Sequence, residues 1–524
     1  MALAEFFHRD AVAISQVLQG YETDAFVEQL EGVRVAIAFG EDAATSRDGR
    51  HLLDLCVRLA ARLYPNLTIS NTPAAEQIAG ELTELAESIN PNIETSSTNP
   101  PSAVLAIGAD APHVDAPTLY AGCDGWVAHA GTAGPHGTSD LGNPFGAGFA
   151  ACLAAANLFR LLFLPHGAEL LDEDVDFPPE AAAFPSLTTA RLTAPLVLVG
   201  TGAVGNSAAW ALGRTPLAGQ IWLVDPELVD LSNLQRYVLC DRSDEGGVKA
   251  EIAAGTFQNT LQPVPYLGTW ASFLEAKGYH WERVLVALDS ARDRRAVQGS
   301  LPRWIANAWT QIGDLGVSSH SFQQPNACLS CLYLPTAESK SEDQIIAEGL
   351  RIPELQDRVR FLLDTGDGAD RAICNAVAAG FEIQAERLEP YIGKPIRELW
   401  EGGVCGGGII PLGHAGSPPR DLQVPLAFQS ALAGLLLASE AVRDVLTGGA
   451  QRRTSVRRMD LLRPLGRPSP QPALRAGDGR CICEDQDYVS VYRQKYEPGS
   501  SIAGLEAEQA PSRPPGVDVS TGVR

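Results

Sequence analysis

The chain has 524 residues, of which 45% are hydrophobic and 20% are charged, and its formal net charge at pH 7 is −23. These values are typical of a globular protein with a large core and roughly two to four domains, and the negative charge argues against nonspecific binding to nucleic acid. It favours instead a partner with a basic surface or tail. No secretory signal opens the chain and no uninterrupted apolar run is long enough to span a membrane, so we expect a cytoplasmic protein.

Residues 1–166 are predicted to form an α/β domain. Residues 32–39 (GVRVAIAF) form an apolar run typical of a buried strand, and it ends at Gly40. Glu41 and Asp42 follow where further glycines would suit a phosphate. Acidic side chains there would repel phosphate groups, so we do not expect this turn to bind a nucleotide.

The end of this domain has a counterpart later in the chain. A Gly-Asn-Pro-Phe-Gly turn at residues 142–146 opens an alanine-rich helix, and a Val-Pro-Leu turn at residues 424–426 opens a second one. Similar endings on two Rossmann-like halves indicate an internal duplication, the alternative being an unrelated α/β domain fused in front. The acid- and proline-rich residues 167–193 between the halves are predicted to be a linker.

The second half begins with a dense pattern of small and apolar residues. Residues 196–199 read as a buried parallel strand, and Gly200, Gly202 and Gly205 follow in G-x-G-x-x-G spacing before an alanine-rich helix. A strand, a glycine turn and a helix N-terminus together bind phosphate, because backbone N–H groups and the helix dipole converge there.

A carboxylate lies at the end of the next predicted strand. Residues 221–224 form an apolar run that ends at Asp225, about 20 residues after the last glycine, where a carboxylate accepts hydrogen bonds from ribose hydroxyls. Up to this point the pattern also suits an NAD-binding dehydrogenase.

Three polar side chains then favour ATP over a nicotinamide cofactor. Asn233 and Arg236 lie in the sequence SNLQR, and Lys249 follows thirteen residues after Arg236. Arginine and lysine at these positions would stabilise charge that develops on a triphosphate and on a pyrophosphate leaving group. Asn233 would orient a phosphate or a carboxylate.

This block resembles the adenylating domain of the ubiquitin-activating, ThiF and MoeB superfamily, in which G-x-G-x-x-G is followed by D-x-x-x-x-x-x-S-N-x-x-R and then by a lysine. The nearest resemblance is to the ubiquitin-activating-like enzymes of bacterial ubiquitin-like conjugation operons, several of which serve in antiviral (antiphage) defence. It implies an α/β fold of two Rossmann-like doubly wound domains, one inactive and one active, which form a pseudo-dimer within one chain. It also implies that Arg9 reaches the ATP phosphates from the inactive domain, with a solvated surface arginine as the alternative.

The resemblance extends to a predicted strand at residues 283–289 (RVLVALD). It implies that Asp289 binds the Mg²⁺ ion of ATP, and a carboxylate at the C-terminal end of a parallel strand suits that cation. Ser290 stands where the family often has asparagine. The alternative is that the carboxylate caps the next helix.

Two cysteine pairs indicate a structural zinc site. Cys328 and Cys331 form a C-x-x-C motif, and Cys481 and Cys483 form a C-x-C motif near the end of the chain. Four thiolates from two close pairs suit a closed tetrahedral zinc site, and the resemblance implies zinc at both pairs. Reduced thiols without metal are the alternative.

The segment between the two zinc-binding pairs is predicted to hold the nucleophile. Residues 336–404 have charged helical patterning, which resembles the catalytic-cysteine insertion of ubiquitin-type activators. Cys405 lies between glycines that would let a peptide tail approach its thiol. Cys374 lies in an apolar helical stretch and reads more easily as a core thiol.

The predicted organisation of the second half is as follows: an adenylation domain in two parts at residues 194–335 and 405–490, the helical insertion at residues 336–404, and a disordered tail at residues 505–524. The resemblance implies ATP-dependent adenylation of the C-terminal carboxylate of a ubiquitin-like protein, thioester transfer to Cys405, and transfer onward to a conjugating enzyme. The first alternative is a sulfur-carrier-protein adenylyltransferase. A non-catalytic scaffold of the same fold and a dehydrogenase are further alternatives, and further oligomerisation stays open.

Overall fold

The computed structural model describes the following residues: 3–18, 23–96, 99–311, 313–322, 326–335, 340–400, 424–450, 452 and 454–497. Within them the chain forms two mixed β-sheets with helices packed against both. This agrees with the predicted α/β class.

The first sheet has six strands, with the bounds Val35–Phe39 (β1), Leu67–Asn71 (β2), Ala103–Ile107 (β3), Thr118–Asp124 (β4), Val127–Gly131 (β5) and Asp174–Phe177 (β6). Their order in the sheet is β2-β1-β3-β4-β5-β6. The first four pair in parallel, and β5 and β6 are antiparallel to their neighbours. The helices of this half are Phe7–Ser15 (α1), Thr23–Gly32 (α2), Glu41–Thr45 (α3), Arg47–Leu63 (α4), Glu76–Ile89 (α5) and Pro144–Phe163 (α6).

Part of the segment predicted as a linker is instead a strand of this sheet. In β6 the acidic residues Asp174 and Asp176 alternate with Val175 and Phe177, and Phe177 is buried against the ring of Phe149. The alternation of one polar and one apolar face is that of an edge strand, and the acidic composition of the whole segment conceals it.

The second sheet continues the chain from residue 190. Its strands are Ala190–Arg191 (β7), Leu196–Val199 (β8), Leu217–Asp225 (β9), Leu261–Leu267 (β10), Arg283–Val286 (β11), Trp304–Gln311 (β12), Asp314–Ser321 (β13), Ser455–Met459 (β14) and Gln471–Pro472 (β15). The order is β10-β9-β8-β11-β12-β13-β14-β15, and β7 pairs with β9. Strands β10, β9, β8, β11 and β12 are parallel, so their carboxyl ends meet at one edge.

The helices of the second half fall into three groups. The first group lies between the strands: Ala203–Leu212 (α7), Lys249–Gly255 (α8), Trp270–Lys277 (α9), Ala291–Gly299 (α10) and Leu329–Leu332 (α11). The second forms a separate helical insertion: Glu342–Gly349 (α12), Gln356–Thr365 (α13), Arg371–Phe381 (α14) and Ile396–Glu398 (α15). The last two are Ala427–Leu446 (α16) and Gln486–Tyr496 (α17).

The two sheets share a strand order. Strands β2-β1-β3-β4-β5-β6 of the first sheet correspond in order and direction to β9-β8-β11-β12-β13-β14 of the second. The long helices α6 and α16 each precede the last of these strands, and they pack against each other with Phe159 and Phe428 in contact. One hydrophobic core contains residues of both halves. The two halves thus have the same strand order, and the internal duplication stays a prediction.

Helix α6 is the one helix among the described residues that is long and apolar enough to cross a membrane by length and composition. Most of its apolar window, 83%, is buried inside the protein. Its position between the first sheet and α16 accounts for that composition as core packing.

Candidate functional site

The predicted glycine turn lies between β8 and α7. Gly200 has a φ of +89°, which favours glycine, and a Cβ on Gly205 would lie 1.9 Å from the Gly200 carbonyl oxygen. A Cβ on Gly202 would meet only the Tyr237 hydroxyl, at 3.4 Å. Gly200 and Gly205 are therefore required by the backbone itself, whereas Gly202 leaves space at the N-terminus of α7.

Asp225, the last residue of β9, accepts hydrogen bonds from the backbone next to the glycine turn. One carboxylate oxygen accepts the Thr201 N–H at 2.7 Å, and the other accepts the Glu227 N–H at 2.9 Å. Burial raises the pKa of Asp225, and the nearby Lys249 ammonium opposes that shift. The hydroxyl of Thr201 is buried without a hydrogen-bond partner among the described residues. The carboxylate thus joins the glycine turn to the loop that follows β9.

Lys249 is held at the first position of α8 by groups that stabilise its charge. Its Nζ lies 2.5 Å from Glu227 Oε2 and 5.2 Å from the centroid of the Tyr237 ring. Burial would lower the pKa of Lys249, but Tyr237 and the carboxylates of Glu227 and Asp225 raise it above its ordinary value. Lys249 is therefore a buried cation beside the glycine turn. The sequence analysis did not identify Tyr237 and Glu227 as partners of Lys249. The position of Glu227, two residues after Asp225, could have indicated a second carboxylate near the site.

The loop after β9 carries Asn233 and Arg236. The side-chain oxygen of Asn233 accepts the Asp230 N–H at 3.0 Å, which makes it a cap of the short helical turn at Leu231–Gln235. Arg236 is partly exposed and donates to Gln235 at 3.5 Å. The structure thus gives Asn233 a local role in the backbone of the loop and leaves Arg236 at its end.

The first half holds this loop in place. Arg62 of α4 is buried and donates to the carbonyl oxygens of Leu234 at 2.9 Å and Tyr237 at 2.6 Å. Asp10 of α1 lies beside Gln235 and Arg236. Burial raises the pKa of Asp10, although Gln235, Arg62 and Arg236 each act to lower it. Sequence reasoning missed both residues, because no local pattern shows that they meet a distant loop.

Arg9, the predicted phosphate contact, belongs to α1 next to Asp10. Its side chain is outside the described part of the structure. Because α1 packs against the turn at Leu231–Gln235, the helix itself reaches the loop that carries Arg236. The role of Arg9 stays a prediction.

Asp289 lies just beyond β11, next to β8 in the sheet. The preceding residues pack directly on the glycine turn, since a Cβ on Gly200 would lie 2.6 Å from the Ala287 carbonyl oxygen. The Asp289 side chain is exposed. Helix α10 is capped by Ser290, whose hydroxyl accepts the Asp293 N–H at 3.0 Å. The helix-capping alternative for Asp289 is therefore wrong, because the following serine takes that role.

The equivalent edge of the first sheet is filled by a carboxylate of the chain itself. Asp110 accepts the N–H groups of Glu41 at 2.8 Å and Asp42 at 3.2 Å, and a Cβ on Gly40 would lie 2.4 Å from its carboxyl carbon. An internal anion thus occupies the N–H groups that would bind a phosphate. This agrees with the prediction that nucleotide does not bind at this turn.

The two cysteine pairs come together although about 150 residues separate them. The Sγ atoms of Cys328, Cys331, Cys481 and Cys483 all lie within 4.8 Å of one another. The closest pairs are 3.3 to 4.0 Å apart. A tetrahedral zinc ion about 2.3 Å from each sulfur would space the sulfurs about 3.8 Å apart. The four residues therefore fit a closed zinc site, including the C-x-C pair.

Purified protein is expected to contain about one zinc per chain, because four thiolates complete one closed tetrahedral site. Elemental analysis measures the ratio. Cys481→Ser should lose most of the metal, whereas Cys152→Ser, in the core of α6, should keep it. Folded protein without metal would contradict the prediction.

Of the two candidate nucleophiles, Cys405 and Cys374, the structure describes only Cys374. Cys405 lies outside the described residues. Cys374 lies in α14 and is 1% exposed, and burial together with the Asp370 carboxylate raises the pKa of its thiol. The sequence-based view of Cys374 as a core thiol is confirmed. Cys56, Cys123, Cys152 and Cys240 are buried as well.

Comparisons with known proteins assign two segments of the chain. The sequence model of the ThiF family matches residues 190–478, and the model described as Prokaryotic E2 family C matches residues 38–164. A relative from Sinorhizobium fredii (strain NBRC 101917 / NGR234), described as "Uncharacterized protein y4jF", is 42% identical over 521 residues, which cover 96% of this chain and 99% of the relative.

Among solved structures, the chain is similar to E. coli MccB. The crystal structure of MccB with MccA-N7isoASN has a TM-score of 0.35 and 12% sequence identity, and the similarity covers 56% of this chain and 67% of MccB. For the crystal structure of MccB with ATP the TM-score is 0.33 at 12% identity, with 55% and 65% of the two chains covered.

Proposed function

The chain belongs to the ThiF family, and from that premise we propose that it uses ATP to adenylate the C-terminal carboxylate of a ubiquitin-like protein. The observation that carries the proposal is the convergence of the glycine turn, Asp225, Lys249 and Asp289 at the carboxyl edge of β9, β8 and β11. Doubly wound sheets bind their ligands at this edge.

The described residues fit a bound nucleotide. The N-terminus of α7 provides backbone N–H groups above Gly202, where a side chain would meet only the Tyr237 hydroxyl. Lys249 supplies a buried positive charge on the same side. Asp225 would hold the ribose, and the exposed Asp289 carboxylate would hold the Mg²⁺ ion that accompanies ATP.

Each group then has a role in the first step. The substrate carboxylate attacks the α-phosphorus of ATP, the bond to the bridging oxygen breaks, and pyrophosphate leaves. Lys249 and Arg236 would stabilise the charge that builds up on the phosphates, and Arg9 would add a further positive charge from the first half. Asn233 holds the shape of the loop that presents Arg236.

We assign the second step to Cys405, whose thiolate would displace AMP to form a thioester for a conjugating enzyme. The helical insertion before Cys405 and the match of residues 38–164 to a prokaryotic E2 family favour conjugation over the sulfur-carrier alternative. Within residues 38–164 the cysteines are Cys56, Cys123 and Cys152, and all are buried with raised pKa values. We therefore assign that half a supporting role and expect the conjugating enzyme to be a separate protein.

The proposal is tested by ATP–pyrophosphate exchange. Purified protein with ATP, Mg²⁺ and labelled pyrophosphate should form labelled ATP only when a small ubiquitin-like protein with a free C-terminal carboxylate is added. The same carrier with its last residue amidated is the control, because an amide cannot attack the α-phosphate. The first carriers to test are small ubiquitin-like proteins whose genes lie next to the gene for this protein. No exchange with any of them, together with binding of NAD, would favour the dehydrogenase alternative.

A further inference from the structure

The helical insertion is a structural unit of its own. Its buried apolar core contains only residues 346–400 among the part of the chain that the structure describes, with Trp400 packed on Gly349 at one end. Neither the main core nor the smaller clusters of the second sheet include any of these residues. A unit that shares no apolar core with its neighbour is expected to move relative to it, so the contacts between the two units decide its position.

Two ion pairs join the insertion to α10. Arg292 of α10 lies 3.1 Å from Asp364 of α13, and Arg397 of α15 lies 3.6 Å from Asp293 of α10. Arg397 also binds Glu342 of α12 at 2.7 Å, so it ties two helices of the insertion to the same point. Helix α10 begins two residues after Asp289, so both pairs lie at the nucleotide-binding edge.

Carboxylates of the loops after β9 and β11 act electrostatically on two side chains of the insertion. On the β11 side, burial would lower the pKa of Arg397, but Glu342, Asp293 and, more weakly, Asp289 raise it. On the β9 side, burial raises the pKa of Tyr391, and the Asp230 carboxylate raises it further. Asp230 begins the turn that presents Arg236. The two ion pairs to α10 therefore place the insertion at the carboxyl end of β11, and the directions of these pKa shifts agree with that position.

We propose that the helical insertion is a cover over the nucleotide-binding edge, and that Arg397 and Asp364 are the positioning residues that hold it closed through α10. The identity of the ligand as ATP rests on the proposed function. The position of the insertion against α10 is independent of that function, because it follows from the two ion pairs. Exposed ion pairs stabilise only weakly, so the closed arrangement is expected to open and close readily.

A distance measurement tests the cover without reference to activity. Spin labels on Glu275→Cys in α9 and Glu386→Cys in the insertion, both exposed positions, report the separation of the two units in a Cys405→Ala background. The parent protein should give a distance distribution with a large closed component and a smaller open component. Arg397→Gln and Asp364→Arg should each shift the ratio of closed to open by about fivefold, the upper range for an exposed pair.

Charge reversal distinguishes a specific contact from local damage. Adding Arg292→Asp to Asp364→Arg restores the pair with its signs exchanged, and it should restore the parent distribution. Arg358→Gln removes a similarly exposed pair inside the insertion, with Asp370, and should leave the distribution unchanged. Identical distributions in all variants, or a reversed pair that fails to restore the parent distance, would overturn the proposal.

The nucleotide provides the second measurement. Release of a fluorescent ATP analogue in stopped flow should be about fivefold faster in Arg397→Gln and Asp364→Arg, and should return to the parent rate in the reversed pair. Unchanged release rates would refute the cover even where the distances change. Absence of any analogue binding in the parent protein would instead count against the proposed function, while the distance measurement still decides the closed position.

Discussion

Replacement of Lys249 by alanine is expected to lower carrier-dependent ATP–pyrophosphate exchange by about 10²–10³-fold, the loss typical for one well-placed group that stabilises transition-state charge. The buried ammonium lies beside the glycine turn and is held there by Glu227 and the Tyr237 ring. Removal of its charge leaves the developing pyrophosphate without that stabilisation. The exchange assay described above, at saturating ATP, measures the loss.

The fold should survive this substitution. Glu227 is the direct partner of Lys249, and its side chain is 59% exposed, so water replaces the lost ammonium. Lys277→Ala is a matched control, because Lys277 is also a lysine over an aromatic ring, that of Trp222, but lies on the exposed side of α9. Its exchange rate should stay within about twofold of the parent, since exposed side chains away from the site contribute little. Full exchange in Lys249→Ala would refute the assignment of this lysine.

The elements around the glycine turn were predictable because their signals are local. The apolar run at Leu196–Val199 forms β8 with the predicted bounds, and the glycine spacing is explained by Gly200 and Gly205 approaching each other within one turn. The close spacing within each cysteine pair predicted a metal site, and the structure places the four thiols next to one another. In each case a few consecutive residues contain the whole pattern.

The contacts between distant segments could not be predicted in this way. Arg62 donates to Leu234, which is 172 residues away, and nothing around Arg62 distinguishes it from other helix arginines. The same holds for Asp110, which fills the turn at Gly40 only because β3 lies beside β1. Such pairings arise from packing, which a single sequence read by period and motif does not contain.

Replacement of Cys405 by alanine is expected to abolish the covalent, thiol-reducible adduct between the protein and its carrier while exchange continues. No thiol takes part in the attack on the α-phosphate, so adenylation does not require Cys405. The adduct needs a thiolate that a peptide tail can approach. Glycines flank Cys405 on both sides in the sequence, and its structural setting lies outside the described residues.

Cys374→Ala should form the adduct at the parent rate, because its thiol is buried in α14 and burial raises its pKa, which keeps it protonated and unreactive. A nonreducing gel with carrier and ATP separates the outcomes for the two variants. Loss of the adduct in Cys374→Ala alone would identify Cys374 of the helical insertion as the nucleophile. Because that thiol is buried, α14 would then have to open for the reaction. An adduct in both variants would exclude both cysteines as acceptors. Loss of the adduct in Cys405→Ala, with exchange retained, would separate adenylation from thiol capture and assign the second step to Cys405.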